Sequence, residues 1–206
     1  MTLECRLPSA ARAALAGAAL LVLAAGCTQP APPAPAPTPV PVDRVAEGRR
    51  ITAEAFATLS RSLLQALAEG GVPRALPFCH AQAGPLTEGI SARAGATVQR
   101  LSHRARNPAN RAAGRDAEVL AEFAERLRSG QAAAPRVERD RAGRDVFYAP
   151  IVIPMDTCLQ CHGEPGRDIT EANLALIRSL YPDDAATGFR LGQLRGLWKV
   201  TFPAQP

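Results

Sequence analysis

Apolar residues in the first part of the chain follow helical spacing. Phe56, Leu59, Leu63 and Leu67 recur at intervals of 3, 4 and 4, which predicts a helix. Gly70-Gly71 closes it. A second, short helix is predicted over Pro73 to Ala83, with Leu76, Cys79, His80 and Ala83 on one face. A polar, Arg-rich stretch follows, broken at Asn107-Pro108. Val119, Leu120, Phe123 and Leu127 predict another helix, ended by Gly130. The pattern then changes. Arg136 to Asp140 and Asp145 to Ile153 are β-prone and flank Arg141-Ala142-Gly143-Arg144, a hairpin signal. Asp168 with Glu171 reads as a capping box opening a helix to about Leu180. Gly192 and Gly196 bracket a turn before Leu197 to Phe202, a predicted strand. Helices first, then helices mixed with hairpins, read as α+β. There is no internal repeat.

The polar-apolar pattern at the N-terminus has another meaning. Arg6 and Arg12 precede an uncharged apolar run over residues 13 to 26. The run is too short for a comfortable membrane span and reads as a signal peptide covering residues 1 to 26. It ends Leu23-Ala24-Ala25-Gly26-Cys27, which resembles a bacterial lipobox with its Leu one place further out than usual. Cys27 is then the lipidated N-terminus of the mature chain. Thr28 after it, rather than Asp, leans towards the outer membrane of a periplasm. Residues 30 to 41 hold seven prolines in twelve positions. Such a run prefers polyproline II and could span roughly 40 Å as a spacer. Residues 27 to 42 are thus anchor and linker, and residues 43 to 206 are the folded domain.

Charge adds an exclusion. Lys+Arg number 24 against 19 Asp+Glu, a net charge of +5. That is too small and too scattered for a nucleic-acid partner. Cysteine carries more information. Cys158-Leu159-Gln160-Cys161-His162 is C-x-x-C-H, the attachment motif of c-type haem. Two thiols three positions apart can each add to one vinyl group of the porphyrin. The adjacent His162 then supplies the proximal iron ligand. A disulfide between the two cysteines, a thioredoxin-like redox pair and a zinc site compete. No βαβ pattern supports the redox pair, and only Cys79, His80 and His103 could complete a zinc site. One motif implies one haem c.

The motif lies near the C-terminus, unlike that of small class I cytochromes. Met155, the one methionine of the mature chain, is too close to the motif to reach the other haem face. Phe147 to Ile153, with Pro150 and then Pro154, does not make the long helix a four-helix bundle demands. The sixth iron position is left to Cys79, His80, His103 or an open site. Cys79 is the odd cysteine without a disulfide partner. Arg104, Arg106, Asn107 and Asn110 are candidate contacts for haem propionates, since guanidinium suits carboxylate. No paired carboxylates, catalytic triad or phosphate loop points to an enzyme.

The motif, three further segments and a pair of glycines carry a resemblance. They are Arg104-Ala105-Arg106-Asn107-Pro108-Ala109-Asn110, Tyr148-Ala149-Pro150-Ile151, the haem motif with Gly163, and Tyr181-Pro182-Asp183-Asp184-Ala185-Ala186-Thr187-Gly188-Phe189, followed by Gly192 and Gly196. In this order, over about residues 75 to 202, the chain resembles the small exported c-type haem proteins with a PAS-like domain. The resemblance implies a PAS-like antiparallel sheet with flanking helices, and Cys79 as the thiolate opposite His162. The expected function is single-electron transfer at low potential, by a lipid-anchored periplasmic cytochrome with a redox partner protein. The alternative is a haem-based redox or gas sensor acting through a partner.

Overall fold

Gly70 and Gly71 interrupt what is otherwise one long helix. The computed structural model describes residues 43–204; the signal peptide, lipidated Cys27 and proline-rich linker expected from the sequence lie outside them. Helix α1 (Arg44–Ala94) starts at Asp43, whose carboxylate accepts from the amides of Val45 and Ala46. Gly71 takes φ 64°, a left-handed backbone that glycine adopts at little cost, and the helix axis breaks there. The break falls where the glycine pair predicts it. The second arm differs from expectation, running on to Ala94 instead of stopping at Ala83. Pro73 sits in the first turn of that arm, where a missing N–H is harmless.

The sheet has four antiparallel strands, β1 (Thr97–Leu101), β2 (Arg136–Arg139), β3 (Asp145–Val152) and β4 (Leu194–Thr201), in the order β1-β4-β3-β2. The hairpin β2–β3 is where the sequence places it. Asp140 closes it by accepting from the amides of Ala142 and Arg144. Strand β1 lies inside the stretch read only as polar and Arg-rich. Helices α2 (Arg115–Arg128), α3 (Asp156–His162) and α4 (Glu171–Leu180) complete an α+β domain. No helix of the described residues is long and apolar enough to cross a membrane.

Period-two alternation sends β3 and β4 side chains to two different cores. Phe147, Ala149, Trp198 and Val200 pack against α1 residues Ile51, Ala55 and Ile90. Val146, Tyr148 and Leu197 pack against α2 residues Val119, Leu120 and Phe123 on the other face. With both faces covered, these strands read as nearly continuous apolar runs. Tyr148 donates to Asp116 at 2.8 Å and Lys199 reaches the other oxygen of that carboxylate at 2.8 Å, tying α2 to the sheet.

The predicted stripe of α1 splits: Leu59 packs against the sheet core and Leu67 against Val72 and Ile177, while Phe56 turns outwards. Phe56 is 47% exposed, whereas Ile51 and Ala55 are fully buried. Close approach decides this. A Cβ on Gly48 would lie 2.2 Å from Cγ of Phe147, so only a glycine lets the helix sit there. The cap of α4 also differs. Thr170, not Asp168, accepts from the amide of Asn173, while Asp168 accepts from the amide of Glu164. Thr170→Ala is expected to cost about 1 kcal/mol in urea denaturation. No loss would return the cap to Asp168.

Candidate functional site

Two small apolar clusters seat α3 beside the main cores. Cys161 packs against Val72 and Leu76 of the second α1 arm and Ile177 of α4. Cys158 and Leu159 pack against Ile153, Ala186 and Phe189. Among the described residues neither cysteine is in a disulfide, and Cys79 is free as well. Cys158, Cys161 and His162 therefore share one short helix, with both sulfurs available.

The segment Tyr181 to Phe189 wraps the end of this helix. Phe189 N–H donates to the His162 carbonyl at 2.8 Å, and Gly188 N–H to the Gly163 carbonyl at 2.6 Å. The His162 ring is bonded at Nδ1 to the Ala186 carbonyl, 2.8 Å away. A carbonyl only accepts, so Nδ1 carries the proton and Nε2 keeps its lone pair. Burial holds the imidazole pKa well below its usual value, and Arg195 and Arg106 push it the same way. The ring is neutral at pH 7, the form that ligates iron.

Arginines surround the strap. Arg106 donates through Nε to Asp184 at 3.1 Å, and through Nη2 to the carbonyls of Cys161 at 2.5 Å and Ala186 at 3.3 Å. Arg104 Nε donates to the Ala185 carbonyl at 3.1 Å, and the guanidinium stacks over Phe189 at 4.3 Å. Arg195, which the sequence reading passed over, donates to Ser102 Oγ and the Arg104 carbonyl. Its Nε is buried with no hydrogen-bond partner. Burial, then the charges of Arg106 and Arg100, lower its pKa to about 10. An arginine inside the apolar strand β4 was the available signal. Among the described residues, Asp184 is the carboxylate that meets this positive charge at hydrogen-bond distance.

Cys79 sits on the second α1 arm, one turn beyond buried Leu76, and is partly buried itself. Burial raises its thiol pKa, against the opposing pull of Arg100 and Arg106. Cys161, pushed up to about 11 by burial, feels Arg106 and Cys79 in turn. The structure thus brings Cys79 into the electrostatic neighbourhood of Cys161. Of the other candidates, His80 is exposed, with its ring edge-on to Tyr181 at 4.8 Å. His103 is exposed too, its ring 6.3 Å from that of Phe189, which is also 6.3 Å from His162. Asn107 is occupied locally: its side chain accepts from the Ala109 amide and caps the short turn Pro108–Asn110. Asn110 is exposed, its carbonyl accepting from the Ser102 amide.

These groups fit a haem attached at the motif. The two thiols are free, His162 has one ring nitrogen to give, and the buried Arg195 Nε lacks an acceptor. Two surface hollows, one beside Arg74 and Phe78 and one beside Arg144 and Phe202, include none of the candidate residues.

A solved structure described as that of the cyanobacterial heme-protein Tll0287 has a similar fold. The TM-score is 0.56 at 23% identity, covering 78% of this chain and 98% of that one. No curated protein matches. The family model described as Tll0287-like matches residues 40–203, which include every described helix and strand. The chain accordingly belongs to the Tll0287-like family.

Proposed function

We propose that this protein is a monohaem c-type cytochrome, an exported and lipid-anchored carrier of single electrons in the periplasm rather than an enzyme. One observation carries the reading: C-x-x-C-H lies on one helix whose final histidine is pinned at Nδ1, leaving Nε2 to ligate. The family supports it through the solved relative described as a heme-protein. The four-stranded antiparallel sheet with helices on both faces is read as PAS-like. Cys27 is the anchor, the proline-rich run the spacer, and the outer membrane the favoured site.

Cys158 and Cys161 would hold the haem. Each thiol would add across one vinyl group, its sulfur taking one carbon and its hydrogen going to the other. His162 would give Nε2 to the iron, its tautomer and ring plane fixed by the Ala186 carbonyl. Cys79, on the second α1 arm, would give its sulfur to the iron as well, losing the thiol proton in doing so. Arg104 keeps Nη donors for a propionate, with Arg195 beside it. Arg106 is already engaged by Asp184 and two carbonyls. Asn107 is engaged by its own turn. Bound there, haem c supplies a one-electron iron couple, and an anionic sulfur ligand lowers its potential.

The test is spectroscopic. Cys79→Ala is expected to lose the low-spin thiolate signature and to bind carbon monoxide readily once reduced. An unchanged spectrum overturns the Cys79 assignment. Rapid, tight carbon monoxide binding by the reduced wild type would instead favour the gas-sensor reading.

A further inference from the structure

One carbonyl serves two donors. Ala186 O accepts from His162 Nδ1 at 2.8 Å and from Arg106 Nη2 at 3.3 Å. The same guanidinium holds the Cys161 carbonyl at 2.5 Å and pairs with Asp184 at 3.1 Å. Asp184 also accepts from the Ala186 amide at 2.9 Å, so residue 186 is gripped on both sides. The two ionic side chains are only 11% and 6% exposed. Charges so placed act through a low effective dielectric and are little screened by salt.

We infer that Arg106, held by Asp184, is a positioning residue that sets the electron-donating power of His162 through the Ala186 carbonyl. The inference rests on the proposed ligation of haem iron by His162. A carbonyl that accepts from an imidazole N–H makes the opposite ring nitrogen a stronger donor. A cationic N–H on the same oxygen draws on its lone pairs and weakens that effect. Arg106 therefore makes His162 a poorer donor and favours the reduced iron. Asp184 offsets part of its charge. The pair acts as a fixed bias, placed one peptide unit from the ligand.

The two partners make opposite predictions. Arg106→Gln frees the carbonyl and removes the cation. The one-electron reduction equilibrium should move towards the oxidised form by about tenfold, or about 59 mV. Asp184→Asn keeps an oxygen for the Ala186 amide but leaves the cation uncompensated, and should move the potential upwards. Arg106→Lys keeps the charge and loses the fork, so it should shift downwards by less. It carries the test if the glutamine variant does not fold. Potentials are read by spectroelectrochemistry of the haem-loaded proteins, with circular dichroism reporting the fold. A wild type without haem removes the reading on which this rests. A haem-loaded protein whose potential is unmoved in Arg106→Gln and Asp184→Asn, or moves the same way in both, overturns this inference alone.

Discussion

Replacing Cys158 and Cys161 together with alanine is expected to give a folded, exported protein with no covalently held haem. Both sulfurs lie on α3, a helix of 7 residues anchored by two apolar clusters and by backbone bonds to the 181–189 strap. Those bonds do not involve the thiols, so the scaffold survives the substitution. Alanine also suits a helix better than cysteine. What disappears is the means of attachment. Extraction under denaturing acid should strip all colour from the double variant and none from the wild type. Each single variant keeps one thioether. Haem that stays on the double variant through extraction would mean that other residues hold it.

The second large effect is on stability. Phe147→Ala should cost about 3–5 kcal/mol, because a fully buried ring leaves a cavity its neighbours cannot fill. In a domain of this size that corresponds to a fall of about 10 °C in Tm. The ring lies at the centre of the α1-facing core, against the bare Cα of Gly48. Phe56→Ala should stay within about 0.5 kcal/mol, since that ring faces solvent. The contrast between two phenylalanines checks which face of α1 packs. Comparable losses at both positions would mean that Phe56 is covered as well.

That face illustrates what a single sequence conceals. Phe56, Leu59, Leu63 and Leu67 make the most visible stripe, but glycine and alanine allow the closest approach to a sheet. Gly48 and Ala55 outrank the larger residues for that reason. Strand β1 was hidden by Arg100 and Gln99, whose charge and polarity mask the inward turns of Val98 and Leu101. The second α1 arm looked finished at Gly84-Pro85, yet the helix continues through both. Where local chemistry decides, reading was easier. The glycine break at residue 71, the Asp140 hairpin and the amphipathic α2 lie close to where their residues put them.

The site divides along the same line. C-x-x-C-H is a local signal, legible from spacing alone. The supports around it are not local: Arg106 reaches Asp184 across 78 positions, and Ser102 meets Arg195 across 93. The acceptor that orients His162 is a main-chain carbonyl of an alanine, which leaves no side-chain signature. In the sequence Tyr181 to Phe189 is one of the segments that carry the family resemblance. Its larger part is to hold the end of α3.

Covalent attachment at the motif is tested by mass spectrometry of the proteolytic peptide containing Cys158 to His162. One haem carried by both sulfurs of that peptide is expected. The same peptide recovered with two free thiols, or with a disulfide between them, would contradict it.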